Sequence, residues 1–181
     1  MSAQPATPEE GQFRRVVTAR DTDGHSYVMI DSSARHFGTL HEHWAAEHVA
    51  AIVNGKVEDP TERPLRIAPP KHSSVFRFVE IEPEAKFASL SDSERRAVVR
   101  QGFERVSSSD ALVDTARHPA MHRTETVDYI VLLKGCLTML LDQGEVELRP
   151  FDVVIQRGTN HAWVNRGATP ALLAAVLISA G

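Results

Sequence analysis

Two histidines, His122 and His161, each open a short run of strand-forming residues closed by turn residues, and this segment argues for chemistry more than any other in the chain. Imidazoles contributed by two strands to one interior can hold a divalent metal ion, and a carboxylate beside them completes a set that leaves positions open, as in iron(II) sites. Asp128 supplies that carboxylate. In an extended chain His122, Thr124, Thr126 and Asp128 alternate onto one face, while Tyr129 and Val131 take the other. Aspartate is unfavourable in a strand, so a buried one needs a partner: a metal, an arginine or hydroxyl groups. His161, Trp163 and Asn165 share a face in the same way, which lets an imidazole and an aromatic ring line one cavity. The expected metal ligands are therefore His122, Asp128 and His161. Thr124, Thr126 and Gln156 are candidates to orient a ligand or water, or to satisfy turn backbones. Glu125 becomes a ligand if the strand bulges or starts later, and Trp163 is either pocket wall or core.

The elements that must position these groups are strands. Residues 127–133 are rich in β-branched and aromatic side chains and end at Lys134-Gly135. Residues 136–141 run to Asp142-Gln143-Gly144, after which Glu145-Val146-Glu147-Leu148 alternates polar and apolar as a returning strand does. Pro150-Phe151-Asp152 and Gly158-Thr159-Asn160 punctuate the next two crossings, and residues 171–178 form a last apolar strand. A train of short strands between turn signals predicts an all-β jelly-roll barrel.

This segment resembles the cupin family, whose small barrels carry two linked motifs, G-x5-H-x-H-x3,4-E-x6-G and G-x5-P-x-G-x2-H-x3-N. Asp128, six residues and Gly135 match the end of the first; Gly158-x2-His161-x3-Asn165 matches the end of the second. Thr124 stands at the second histidine, Asp128 at the glutamate and Gln156 at the proline. The resemblance covers roughly the last third of the chain. It implies a cupin-like fold and a divalent ion (iron, manganese, zinc or nickel) used for dioxygenase, decarboxylase, lyase or isomerase chemistry. It equally admits a binding or sensing protein without metal or turnover, whose mark would be Asp128 hydrogen-bonded to Thr or Arg.

A rival motif lies upstream. His41-Glu42-His43-Trp44-Ala45-Ala46-Glu47 fits H-x-H-x3-E and would place both histidines on one strand face, but its glycine falls one residue late, at Gly55, and no Gly-x2-His-x3-Asn follows. His48 and His72 fall in loops, and His118 is a spare ligand set apart by Pro119.

With 181 residues, 42% hydrophobic and 24% charged, the chain suits one well-buried domain. A net charge of −4 leaves no electrostatic footprint for nucleic acid or an anionic membrane. The single cysteine, Cys136, reads as a small apolar strand residue and favours a reducing compartment, so a cytoplasmic location is expected. Residues 1–12 are polar and proline-bearing and read as a flexible tail. Residues 13–181 read as one elaborated domain with its core barrel at about 108–181. An N-terminal extension is expected from a hairpin around Asp23-Gly24 and from strands at 39–45 and 75–81, with one surface helix near 92–105 opened by a capping box at Ser91 and Glu94. The apolar outward side of residues 127–133 predicts a homodimer. Two functional classes follow: a metal-dependent enzyme acting on a small oxygen-rich organic molecule, or a non-catalytic small-molecule-binding or sensing protein.

Overall fold

The computed structural model describes residues 14–20, 26–46, 59 and 61–180, which leaves the N-terminal tail, the Asp23-Gly24 turn, Glu47 and His48 outside the described residues. Strands β1 (Arg14–Arg20) and β2 (Ser26–Ser33) form the expected hairpin. Then follow β3 (Arg35–Phe37), β4 (Leu40–Ala46), β5 (Ser74–Ile81), helix α1 (Asp92–Arg105), β6 (Thr126–Lys134), β7 (Leu137–Leu141), β8 (Glu145–Leu148), β9 (Val153–Arg157), β10 (His161–Val164) and β11 (Ala171–Ser179). No helix among the described residues is long and apolar enough to cross a membrane.

Two antiparallel sheets make the jelly-roll barrel. One has six strands in the order β3-β4-β5-β11-β6-β9, and the other has three in the order β10-β7-β8. The second sheet gains an edge from an isolated antiparallel bridge between His122 and His161. β11 lies between β5 and β6, with Ala175 opposite both Arg77 and Ile130, and Leu177 opposite both Val75 and Asp128. Their inward side chains, among them Val75, Ile130, Leu132, Leu173 and Ala175, meet Leu137, Met139 and Leu148 of the smaller sheet in one core cluster. Burying such a row removes about 25 cal/mol of unfavourable hydration per Å² and holds the two sheets together.

The glycine and the asparagine that end the two motifs have structural explanations. Gly135 sits at φ +84°, and a Cβ there would lie 2.9 Å from the Ala171 Cβ, so the β6–β7 turn tolerates no side chain. Asn165 is buried; its Nδ2 donates to the Ile81 and Thr169 carbonyls at 2.8 and 2.9 Å, and its Oδ1 accepts from the Gly167 N–H at 2.9 Å. It fastens the turn before β11 to the end of β5.

The capping box opens α1 as its residues dictate: the Ser91 N–H donates to Glu94 Oε2 at 2.7 Å, and Ser91 Oγ accepts from the Glu94 N–H at 3.4 Å. No residue of this helix is fully buried, yet Val99 and Phe103, one turn apart, line the interior cavity. Strand β3 is an addition to the sequence reading; three residues before the positive-φ Gly38 are too few to show alternation. Cys136 is exposed and lies just ahead of β7, where an apolar position within the strand was expected.

Candidate functional site

The two histidines meet. Backbone bonds in both directions, His122 N–H to the His161 carbonyl at 2.9 Å and the reverse at 3.0 Å, clamp their strands together, and the ring centroids stand 4.4 Å apart with planes inclined at 47°. Each ring is oriented by a neighbouring carbonyl: His122 Nδ1 lies 2.9 Å from the Ala120 oxygen, and His161 Nδ1 lies 2.9 Å from the Thr159 oxygen. A carbonyl only accepts, so both Nδ1 atoms carry the proton and both Nε2 atoms keep a lone pair. Burial holds both imidazoles neutral. It lowers the pKa of His122, and it pushes His161 down to about 3 with help from the neighbouring ring. Phe103 packs edge-on against His122 and Trp163 edge-on against His161, with centroids 5.3 and 5.4 Å away.

Across the barrel, the strand-parity expectation for Asp128 holds. Thr126, Asp128 and Ile130 are buried inward, while Tyr129 is exposed on the outer face. The Thr124 and Thr126 hydroxyls bond each other at 2.7 Å. Burial pushes the Asp128 carboxyl up to about 6, against the opposing pull of the Thr126 hydroxyl and the Arg77 charge. A folded-state pKa above the unfolded value near 3.9 means that the folded chain binds the extra proton between about pH 4 and 6. Stability is therefore lost as pH rises through that window. Asp128→Asn, which mimics the protonated form, is expected to match wild type at about pH 4 and to exceed it by about 2 kcal/mol at about pH 8. Denaturant titrations at the two pH values check the sign.

Three charged residues that the sequence reading did not single out complete this wall. Arg77, 2% exposed in the middle of β5, donates from Nη2 to Glu42 Oε2 at 2.9 Å and to the Arg66 carbonyl at 3.1 Å. Arg63 reaches the same carboxylate at 3.2 Å. Burial pulls the Arg77 guanidinium down to about 10 while Glu42 holds it up, so it stays charged at neutral pH. The signal was the alternation of residues 75–81, which sets Arg77 in an inward row with Val75, Val79 and Ile81. Its partner comes from the rival motif. The register of β4 on β5 shifts between Glu42 and Trp44, Glu42 pairs with Arg77, and His41 stacks on His36 while His43 packs on Phe76 and Phe78.

These groups share one cavity of about 470 Å³, bounded by His122, His161, Trp163, Thr124, Asp128 and Arg77 and otherwise chiefly by apolar side chains. The remaining expected residues fall elsewhere. Glu125 is exposed and lies 3.8 Å from Arg123. Gln156 is buried opposite Asp128 in β9 but holds the following turn, donating to the Thr159 carbonyl at 3.1 Å and to the Thr159 hydroxyl. His118 pairs with Glu84 at 2.8 Å, and His72 sits in a positive-φ loop.

The donor chemistry suits two positions of a divalent ion: neutral imidazoles, Nδ1 committed to carbonyls, and Nε2 unbonded among the described residues. Among the described residues no group of three or more His, Cys, Asp or Glu is gathered closely enough to hold an ion, so no carboxylate joins the pair.

No family model matches the chain. A phomopsin biosynthesis cluster protein of Diaporthe leptostromiformis is 54% identical over 50 residues, 27% of this chain and 26% of that protein. The chain thus spans about a quarter of the length of this relative. A cupin-domain-containing oxidoreductase of Aspergillus ruber is 26% identical over 170 residues, 91% of this chain and 71% of that protein. Among solved structures, a cupin 2 domain-containing protein from Halorhodospira halophila aligns at 16% identity over 91% of this chain and 76% of that one, with a TM-score of 0.39.

Proposed function

We propose that this chain is a cupin-type protein and a metal-dependent enzyme acting on a small, largely apolar, oxygen-bearing organic molecule held in the barrel cavity. The observation that carries the reading is the imidazole pair: two rings fixed by backbone carbonyls, both neutral, with both Nε2 lone pairs unbonded among the described residues and at the edge of an apolar cavity. His122 and His161 would hold the ion, and substrate oxygens would fill further positions. When bound, an ion supplies Lewis-acid polarisation of those oxygens. The protein's own groups do the rest. Trp163 and Phe103 pack edge-on against the rings and cover one side of each, which strengthens the electrostatic contacts there. Asp128, titrating near 6, can take up or release a proton close to neutral pH. The name of the Aspergillus ruber relative favours an oxidoreductase among the reaction classes that the cupin resemblance implies.

A second reading, a binding or sensing protein without turnover, is favoured by the Arg77 charge that acts on Asp128 and by the absence, among the described residues, of a third protein ligand beside the imidazoles. Metal analysis of protein purified without a histidine tag separates the two, with about one ion per chain expected for the enzyme. Protein free of metal that takes none up on titration supports the binding reading.

We also propose that two copies pair through the outer face of the six-stranded sheet. There Phe76, Val176, Tyr129 and Ile155 line up across β5, β11, β6 and β9, and three of the four are exposed apolar or aromatic residues. Sedimentation at micromolar concentration should show a dimer that Tyr129→Glu splits; a wild-type monomer removes the proposal.

A further inference from the structure

Two buried polar atoms in the cavity wall have no hydrogen-bond partner among the described residues: Arg77 Nε and Asp128 Oδ1. Their residues are 2% and 3% exposed, and both line the cavity. They sit on the inward face of one sheet, two strands apart, because Arg77 is opposite Ala175 of β11 and Asp128 is opposite Leu177, two residues on. Neither side chain is free to turn away. Arg77 is pinned through Nη2 to Glu42 and the Arg66 carbonyl, which fixes the guanidinium plane, and Asp128 is buried on β6, held between β11 and β9. A buried donor or acceptor left unpaired is costly, and two on one cavity face mark where a ligand's polar atoms belong.

We infer that Arg77 and Asp128 form a polar pole that selects a neutral hydroxy-carbonyl compound, with the Arg77 Nε–H donating to its carbonyl oxygen and Asp128 Oδ1 accepting from its hydroxyl. Charge narrows the class. The carboxylate disfavours an anionic ligand and the guanidinium a cationic one, so a neutral molecule offering one acceptor and one donor satisfies both. The hydrocarbon part lies against Ile130, Leu173, Ala175 and the Trp163 ring, which line the same cavity. This rests on the cavity being the substrate site proposed above, and it adds the chemistry that the site reads.

Benzoin, a neutral hydroxy ketone with two apolar rings, is the probe. Deoxybenzoin lacks its hydroxyl, and benzoin methyl ether masks it. Calorimetric titration of the purified protein at about pH 8, where Asp128 is ionised, should show benzoin binding about tenfold or more tighter than either analogue, the worth of one hydrogen bond to a charged group. Asp128→Leu should shrink the ratio to about twofold or less while deoxybenzoin binds as before. If that variant does not fold, Asp128→Asn, which keeps the shape and loses the charge, should reduce the ratio by an intermediate amount. Glu125→Ala, at an exposed position outside the cavity lining, should leave the ratio unchanged. Equal affinity for benzoin and deoxybenzoin in wild type overturns the pole while leaving the cavity as a binding site. No binding of benzoin, or a ratio kept in Asp128→Leu, overturns it as well. Metal content decides the enzyme reading independently.

Discussion

Glu42→Ala is expected to destabilise the folded chain by about 3–5 kcal/mol, the usual cost of stripping a buried charge of its partner. Glu42 is 1% exposed and is the sole carboxylate that contacts Arg77 among the described residues, at 2.9 Å. Its removal leaves the Arg77 guanidinium, 2% exposed, with only the Arg66 carbonyl and the more distant attraction of Asp128. For a chain of this size the loss corresponds to roughly 10 °C in melting temperature. Glu42→Gln, which keeps a hydrogen-bond acceptor, should cost less, and exposed Glu125→Ala should cost almost nothing. An unfolding free energy from denaturant titration within about 0.5 kcal/mol of wild type for Glu42→Ala would show that the cavity wall does not depend on this pair.

His161→Ala is expected to lower the affinity for a divalent ion by at least about a hundredfold, since losing an outer-shell partner alone costs 10–100-fold and this removes a ligand outright. Turnover should fall with it. The fold should survive, because the bonds joining residues 122 and 161 are backbone bonds that alanine keeps, and the expected stability change is about 1–2 kcal/mol. Circular dichroism checks the fold, and equilibrium dialysis checks the affinity. Full metal content in this variant would place the ion elsewhere.

Much of this site could be read from local sequence. The facing of Asp128 followed from alternation in a strand bounded by Gly135, and His161 and Trp163 fall on the cavity side because β10 alternates likewise. Whether the carboxylate would join the imidazoles could not be read that way. The rings sit at the edge of the smaller sheet and Asp128 in the larger one, so their approach depends on how two sheets stack rather than on any spacing along the chain. The Arg77–Glu42 pair was hidden for a similar reason. Strand parity points Arg77 inward, but its partner is 35 residues away and is selected by the irregular register of β4 on β5. The upstream H-x-H-x3-E string illustrates the converse. Its histidines meet aromatic rings, and the acidic residue that matters is the Glu42 between them.

The most direct test of the metal-dependent reading is X-ray absorption on untagged protein titrated with cobalt(II). One ion per chain is expected, with two imidazole nitrogens at about 2.1 Å and oxygen in the remaining positions, and with both nitrogens lost in the His122→Ala/His161→Ala variant. Cobalt that does not bind, or that binds the double variant with the same spectrum, would contradict it.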